Sequence, residues 1–190
     1  MRRNLLASLV AIPLLLLAAA TALDARNRPI ERFRAFAASL GTGRSAIVDI
    51  LITRWSTDEE RDSLLAALQE GGQNRLLDAL TRVRPAVGNI RLAGQLGWSL
   101  YFARNNVQPD GSRHVTMATN RSVAWAEIAN ATRSRDFQFT FIELHLDKTG
   151  NGEGKIVPAA RVLWNTNTKT VEIENFNSLP VDLLQVRVQS

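Results

Sequence analysis

Apolar side chains recur at every second position in Val48, Ile50 and Ile52, the period of a strand with one buried face. The same period returns in Phe137, Phe139 and Phe141, which alternate with Gln138 and Thr140. Runs at 98–104, 113–119, 155–164, 170–176 and 181–188 complete the predicted strands. Between them lie Gln108-Pro109-Asp110-Gly111 and Asn165-Thr166-Asn167-Thr168, both rich in turn residues. Parallel strands need long crossovers, so links this short predict mostly antiparallel pairing. The piece from Ser122 to Ile128, which carries Trp125, reads as a short helix or as a loop plugging one end of the core.

Residues 32–40 allow two readings. Ile30, Phe33, Ala37 and Leu40 would line one helical face, and the alanines suit a helix. Gly41-Thr42-Gly43, however, suits a hairpin connection to the strand that follows, and strand is the preferred reading. A helix is predicted after Trp55, where Ser56 or Thr57 can cap and Asp58, Glu59 and Glu60 place negative charge in the first turn. Leu64, Leu65 and Leu68 give it an apolar stripe, and Gly71-Gly72 ends it. A second short helix carries Leu76, Leu77 and Leu80 before Pro85. The expected fold is therefore α+β: a mainly antiparallel β-sheet, as a sandwich or partly open barrel, with an inserted αα-hairpin at about 57–82 whose leucines cover the sheet.

The amino end changes how much of the chain is counted. Arg2 and Arg3 precede an apolar run from Leu5 to Leu17 and the small residues Ala20-Thr21-Ala22, the pattern of a secretory signal peptide over residues 1–22. The apolar run is shorter than the ~20 residues of a spanning helix, which favours removal over a retained anchor. Removing the first 22 of 190 residues leaves 168, enough for one core without staples. The expected organisation is a signal peptide (1–22), a basic leader (23–31) and one β-rich domain (32–190). The chain has no cysteine. That excludes disulfides, thiolate metal sites, a cysteine nucleophile and a lipidated cysteine, and it suits a bacterial exported domain, periplasmic or secreted.

The net charge of +5 falls to +3 when Arg2 and Arg3 leave with the leader. Arg26, Arg28, Arg32 and Arg34 form the densest basic group; elsewhere bases and acids are interleaved. Such a group can attract anionic lipid or nucleic acid by counterion release. Export argues against nucleic acid as a partner, and no stable membrane span is expected after cleavage.

Leu146-Asp147-Lys148-Thr149-Gly150-Asn151-Gly152-Glu153-Gly154-Lys155-Ile156 looks like half a calcium loop and half a phosphate loop. Counted as an EF-hand from Asp147, its twelfth position is Pro158, not the bidentate glutamate. As a phosphate loop, Gly154-Lys155 is followed by Ile156 instead of Ser or Thr. A β-hairpin turn accounts for the stretch better, with glycines allowing positive φ and Asp147 and Asn151 bonding nearby amides. A loose calcium site on Asp147, Asn151 and Glu153 is the alternative.

Only two histidines occur, His114 and His145, with no HExxH and no Gly-x-Ser-x-Gly elbow. Glu143 and His145 fall two apart in a predicted strand and share a face, so they could do general acid–base work, or simply stand in water where the strand leaves the core. Trp55, Trp98, Trp125 and Trp164, together with Tyr101 and Phe102, could line an apolar cavity if the sheet curls, or be ordinary core.

The run Ile52-Thr53-Arg54-Trp55-Ser56-Thr57-Asp58-Glu59-Glu60-Arg61, the Asp110-Gly111 turn, and Leu146-Asp147-Lys148 leading into Gly152-Glu153-Gly154-Lys155 resemble a family of uncharacterised exported bacterial proteins over most of the mature chain. The resemblance implies export and a single domain, and it assigns no catalytic or binding residue. The leading expectation is a non-catalytic, cofactor-free binding domain for an apolar small molecule or, through exposed leucines among Leu64, Leu68, Leu76 and Leu80, a protein partner. The alternatives are a hydrolase using Glu143 and His145, and a calcium-stabilised domain.

Overall fold

The structure, a computed structural model, describes residues 29–40, 43–121, 136–175 and 179–189. The predicted signal peptide, most of the basic leader and the piece at 122–128 with Trp125 lie outside the described residues. The strands are β1 (Glu31–Ser39), β2 (Arg44–Ile52), β3 (Gly88–Leu92), β4 (Trp98–Leu100), β5 (Phe102–Val107), β6 (Arg113–Thr119), β7 (Phe139–Leu146), β8 (Asn151–Asn165), β9 (Thr170–Asn175) and β10 (Val181–Gln189). One helical element, α1 (Asp58–Arg82), follows β2.

All pairings are antiparallel, in the order β4-β3-β2-β1-β10-β8-β7-β6-β5, with β9 added to β8 beside this path. The two ends of the path are neighbours in sequence. β4 stops at Leu100 and β5 starts at Phe102. Between them Tyr101 donates its N–H to the Ala118 carbonyl of β6 at 3.0 Å, while the Leu100 carbonyl accepts from Val87 at 2.9 Å. The sheet thus curls into a nearly closed barrel, not a sandwich, in which β4 and β5 share one of eight strand positions. A barrel of ~8 strands has an interior just wide enough for side chains to fill. This one is filled, by Phe33, Ile50, Leu100, Met117, Ile142 and Leu183 among others, each essentially inaccessible to water.

Residues 31–39 are strand. Phe33, Ala35 and Ala37 face inward, and β1 runs in register with β2 from Glu31↔Ile52 to Ser39↔Arg44. The alanines that would suit a helix are small inward residues of a crowded barrel wall. In β10 the inward set Val181, Leu183 and Val186 breaks the period of two; Gln185 (φ 50) forms a bulge that returns Val186 to the interior.

Thr57 caps α1. Its hydroxyl accepts from the Glu60 N–H, and the Glu60 carboxylate accepts from the Thr57 N–H, a reciprocal capping box. The expected αα-hairpin takes a different form. Two helical arms run into each other at Gly72, whose φ of 65° and ψ of −160° are open to glycine, so the element is one kinked helix without an intervening loop. Just past the kink the Gln73 carboxamide accepts from the Val162 N–H (3.1 Å) and donates to the Asp136 carbonyl (2.8 Å), fixing α1 to β8. Arg54 ties the two ends of α1 together, with a forked ion pair to Glu60 (2.8 Å on each prong) and a bond to the Pro85 carbonyl (3.0 Å). Among the described residues no helix is long and apolar enough to cross a membrane.

Candidate functional site

The outer wall of β5, β6, β7 and β8 presents three rows of side chains, fixed by strand register. The first runs Phe102, Ala118, Phe141, Val157; the second Arg104, Thr116, Glu143, Lys155; the third Asn106, His114, His145, Glu153. Inward residues such as Val115, Met117, Ile142 and Leu144 alternate with them and belong to the barrel core. One wall therefore passes from apolar to charged to imidazole-bearing within four residues along each strand.

α1 lies over the apolar row. Leu64, Leu68, Leu76 and Leu80 are buried against Phe139, Ala160 and Val162, with Phe102, Phe141 and Val157 packed alongside. The burial of these four leucines removes them as an exposed docking surface for a protein partner. They do not fill the space beneath them. A cavity of about 250 Å³ remains between α1 and the wall, with Phe102, Ala118, Phe139 and Phe141 on the wall side and the α1 leucines above. Ala118 is the small residue in a row otherwise built of Phe and Val, and its size opens the space. Val171 of β9 and Arg61 of α1 are the exposed lining residues and mark the mouth.

Arg61 is the one charged lining residue among the described residues, and its charge is already met. Asp62 accepts two of its N–H bonds at 2.9 and 2.8 Å, and Asp58 lies at 3.4 Å. The Asp62 bonds raise the pKa of the guanidinium further, so it stays charged and paired.

Of the aromatic candidates, Phe102 lines this cavity. Trp98 packs against the barrel core, Trp164 and Tyr101 pack into the α1 cluster, and Trp125 is outside the described residues. Arg84 stands 5.4 Å over the Tyr101 ring, a cation–π contact at the far end of α1. No tryptophan lines the cavity among the described residues; phenylalanines and leucines do.

Glu143 and His145 do share the outer face, beyond the reach of α1, and both are exposed. The Glu143 carboxylate lies 3.2 Å from His145 Nε2. The structure adds a group that the sequence did not single out: His114 stands directly opposite His145, with its Nε2 3.2 Å from His145 Nδ1 and the rings edge to face. Its pairing depends on the β6–β7 register, set by a long connection and invisible in local pattern.

The loop at 147–150 is a hairpin turn. Asp147 Oδ1 accepts from the Thr149 N–H, the Thr149 hydroxyl and the Asn151 N–H at 2.8, 2.6 and 3.0 Å. The Thr149 hydroxyl bond, then the Asn151 amide, hold the Asp147 carboxyl below its ordinary pKa of 3.8. One oxygen of the carboxylate offered to calcium is thus engaged by the turn, and Glu153 lies on the third wall row opposite His145, not in the loop. Only Gly150 needs a positive φ, 83°. Gly152 and Gly154 lie within β8, where a Cβ would fall 1.9 Å from the His145 carbonyl oxygen and 2.3 Å from that of Glu143.

Comparison with protein-family models, curated proteins and solved structures finds no match to this chain. The fold and cavity define a β-barrel with its apolar site outside the wall, beneath a kinked helix.

Proposed function

We propose that this chain is an exported, non-catalytic domain that binds a neutral apolar small molecule between α1 and the outer barrel wall. The carrying observation is the cavity itself: among the described residues its lining is apolar apart from a rim arginine already paired with Asp58 and Asp62. A dry apolar cavity of ~150 Å³ is large enough to hold benzene. At about 250 Å³ this one takes a fused ring or a short hydrocarbon chain. Among the described residues a carboxylate headgroup finds no free cation at the mouth, so neutral ligands are preferred. The export part of the reading is supported by the signal-peptide pattern at 1–22 and by the absence of cysteine.

The barrel interior does not compete as a ligand site, because it is filled. Native mass spectrometry of the purified chain tests the proposal. A bound small molecule that is present on the wild-type chain and missing from Ala118→Leu supports it; the same adduct on both chains rejects it.

A further inference from the structure

We infer that His114 and His145 form a surface site for a late first-row divalent metal ion, Zn²⁺ in the first instance, with Glu143 orienting His145. The inference does not depend on the apolar-ligand reading. The two sites lie on different rows of the wall, four residues apart along the strands and so roughly 13 Å.

The distances carry the argument. Two nitrogens bound to one tetrahedral zinc at ~2.0–2.1 Å stand roughly 3.4 Å apart. His114 Nε2 and His145 Nδ1 are 3.2 Å apart without any ion. The donor atoms of His114, Glu143 and His145 all fall within 4.8 Å of one another. Little movement separates this arrangement from a chelating pair.

Geometry then assigns the roles. The Glu143 carboxylate, 3.2 Å from His145 Nε2, can accept an N–H from that nitrogen, which leaves the opposite nitrogen, Nδ1, for the ion. His145 Nδ1 and His114 Nε2 share one hydrogen bond across the 3.2 Å between them. A bound ion would release the shared proton to solvent and sit off the N···N line, with both rings turned so that their facing lone pairs meet on it. Glu143 holds the outer N–H of His145, the usual relation of a carboxylate behind a metal-bound histidine.

The ligand class follows from the donors. Imidazole nitrogen suits zinc, nickel and copper, whereas calcium and magnesium call for oxygen. Beside the pair lies a shallow recess bordered by Ser112, Asp147, Asn151 and Glu153, which leaves the remaining coordination positions open to water. Lys155, opposite Glu143 on β8, is the neighbouring cation against which the site must work.

Isothermal titration of the full chain, purified without a histidine tag, with Zn²⁺ alone tests the site. The expected result is one saturable event per chain, abolished in His114→Ala and in His145→Ala, and weakened about 10-fold or more in Glu143→Gln. Ca²⁺ should give no such event. All three side chains are exposed, so the variants should keep the wild-type fold, checked by circular dichroism. As a second readout, Zn²⁺ should raise the melting midpoint of the wild-type chain and not that of His114→Ala. Zn²⁺ binding that persists unchanged in both histidine variants overturns the site; an unchanged affinity in Glu143→Gln overturns the orienting role.

Discussion

Arg54 and Glu60 meet in a forked ion pair, both prongs at 2.8 Å, that joins the end of the β2 loop to the first turn of α1. Both side chains are more than two-thirds buried, and Arg54 also reaches the Pro85 carbonyl beyond the other end of the helix. The pair therefore holds the lid over the cavity. Arg54→Met and Glu60→Gln should each lower stability by about 1–2 kcal/mol. The double variant should cost much less than the two together, because both singles break one interaction. Urea unfolding of all four chains decides it: additive losses would show that the two residues act separately.

The same pair sets a pH dependence. Its hydrogen bond from Arg54 depresses the Glu60 pKa below the ordinary 4.5. A depressed folded-state pKa gives stability that is complete above the unfolded value and drains away as pH falls through the folded value. Wild-type stability should thus decline below about pH 4.5, and Glu60→Gln should decline less over that window. Parallel curves for the two chains would contradict this.

Gly152→Ala and Gly154→Ala test the barrel wall. A methyl at either position meets a backbone carbonyl of β7, which cannot rotate aside as a side chain can. Each should destabilise by about 3 kcal/mol or more, at or beyond the upper end of ordinary overpacking. Gly43→Ala, where φ is positive (64°) but open space surrounds the site, should cost only about 1 kcal/mol. Thermal melts rank the three; equal losses would mean that close approach is not the reason for the strand glycines.

Gln73 offers a test of how firmly the kinked helix is seated. Its carboxamide is the acceptor for the Val162 N–H on β8. Gln73→Ala should leave that amide unpaired, cost about 1–2 kcal/mol and speed hydrogen exchange at Val162. Unaltered exchange at Val162 would place the anchoring elsewhere.

Much of this architecture was written in local pattern. The period of two along β2 and β7, the Pro-Asp-Gly turn before β6 and the Thr57–Glu60 cap all depend on near neighbours in the chain, and each appears where its residues point. Barrel closure does not: it rests on Tyr101 switching from the β3 edge to the β6 edge, and no residue near it signals that change. The glycines of 150–154 illustrate the same divide. Gly150 is legible as a turn, whereas Gly152 and Gly154 answer to carbonyls on another strand. Glu143 and His145 could be placed on one face from spacing alone, but His114 joins them only through the β6–β7 register. Of the aromatic residues expected at a cavity, Phe102 lines it; the other described lining residues are mainly phenylalanines, leucines and one alanine, because the helix covers the outside of a barrel whose inside is already full.

The central claim is that the apolar space beneath α1 takes an apolar guest. A fluorescence titration of the full chain with N-phenyl-1-naphthylamine, a neutral polarity-sensitive probe, tests it directly, alongside Ala118→Leu confirmed as folded by its thermal melt. A saturable, one-to-one rise in emission for wild type that is lost in Ala118→Leu is the predicted result. Equal emission from both chains, or none from wild type, would contradict it.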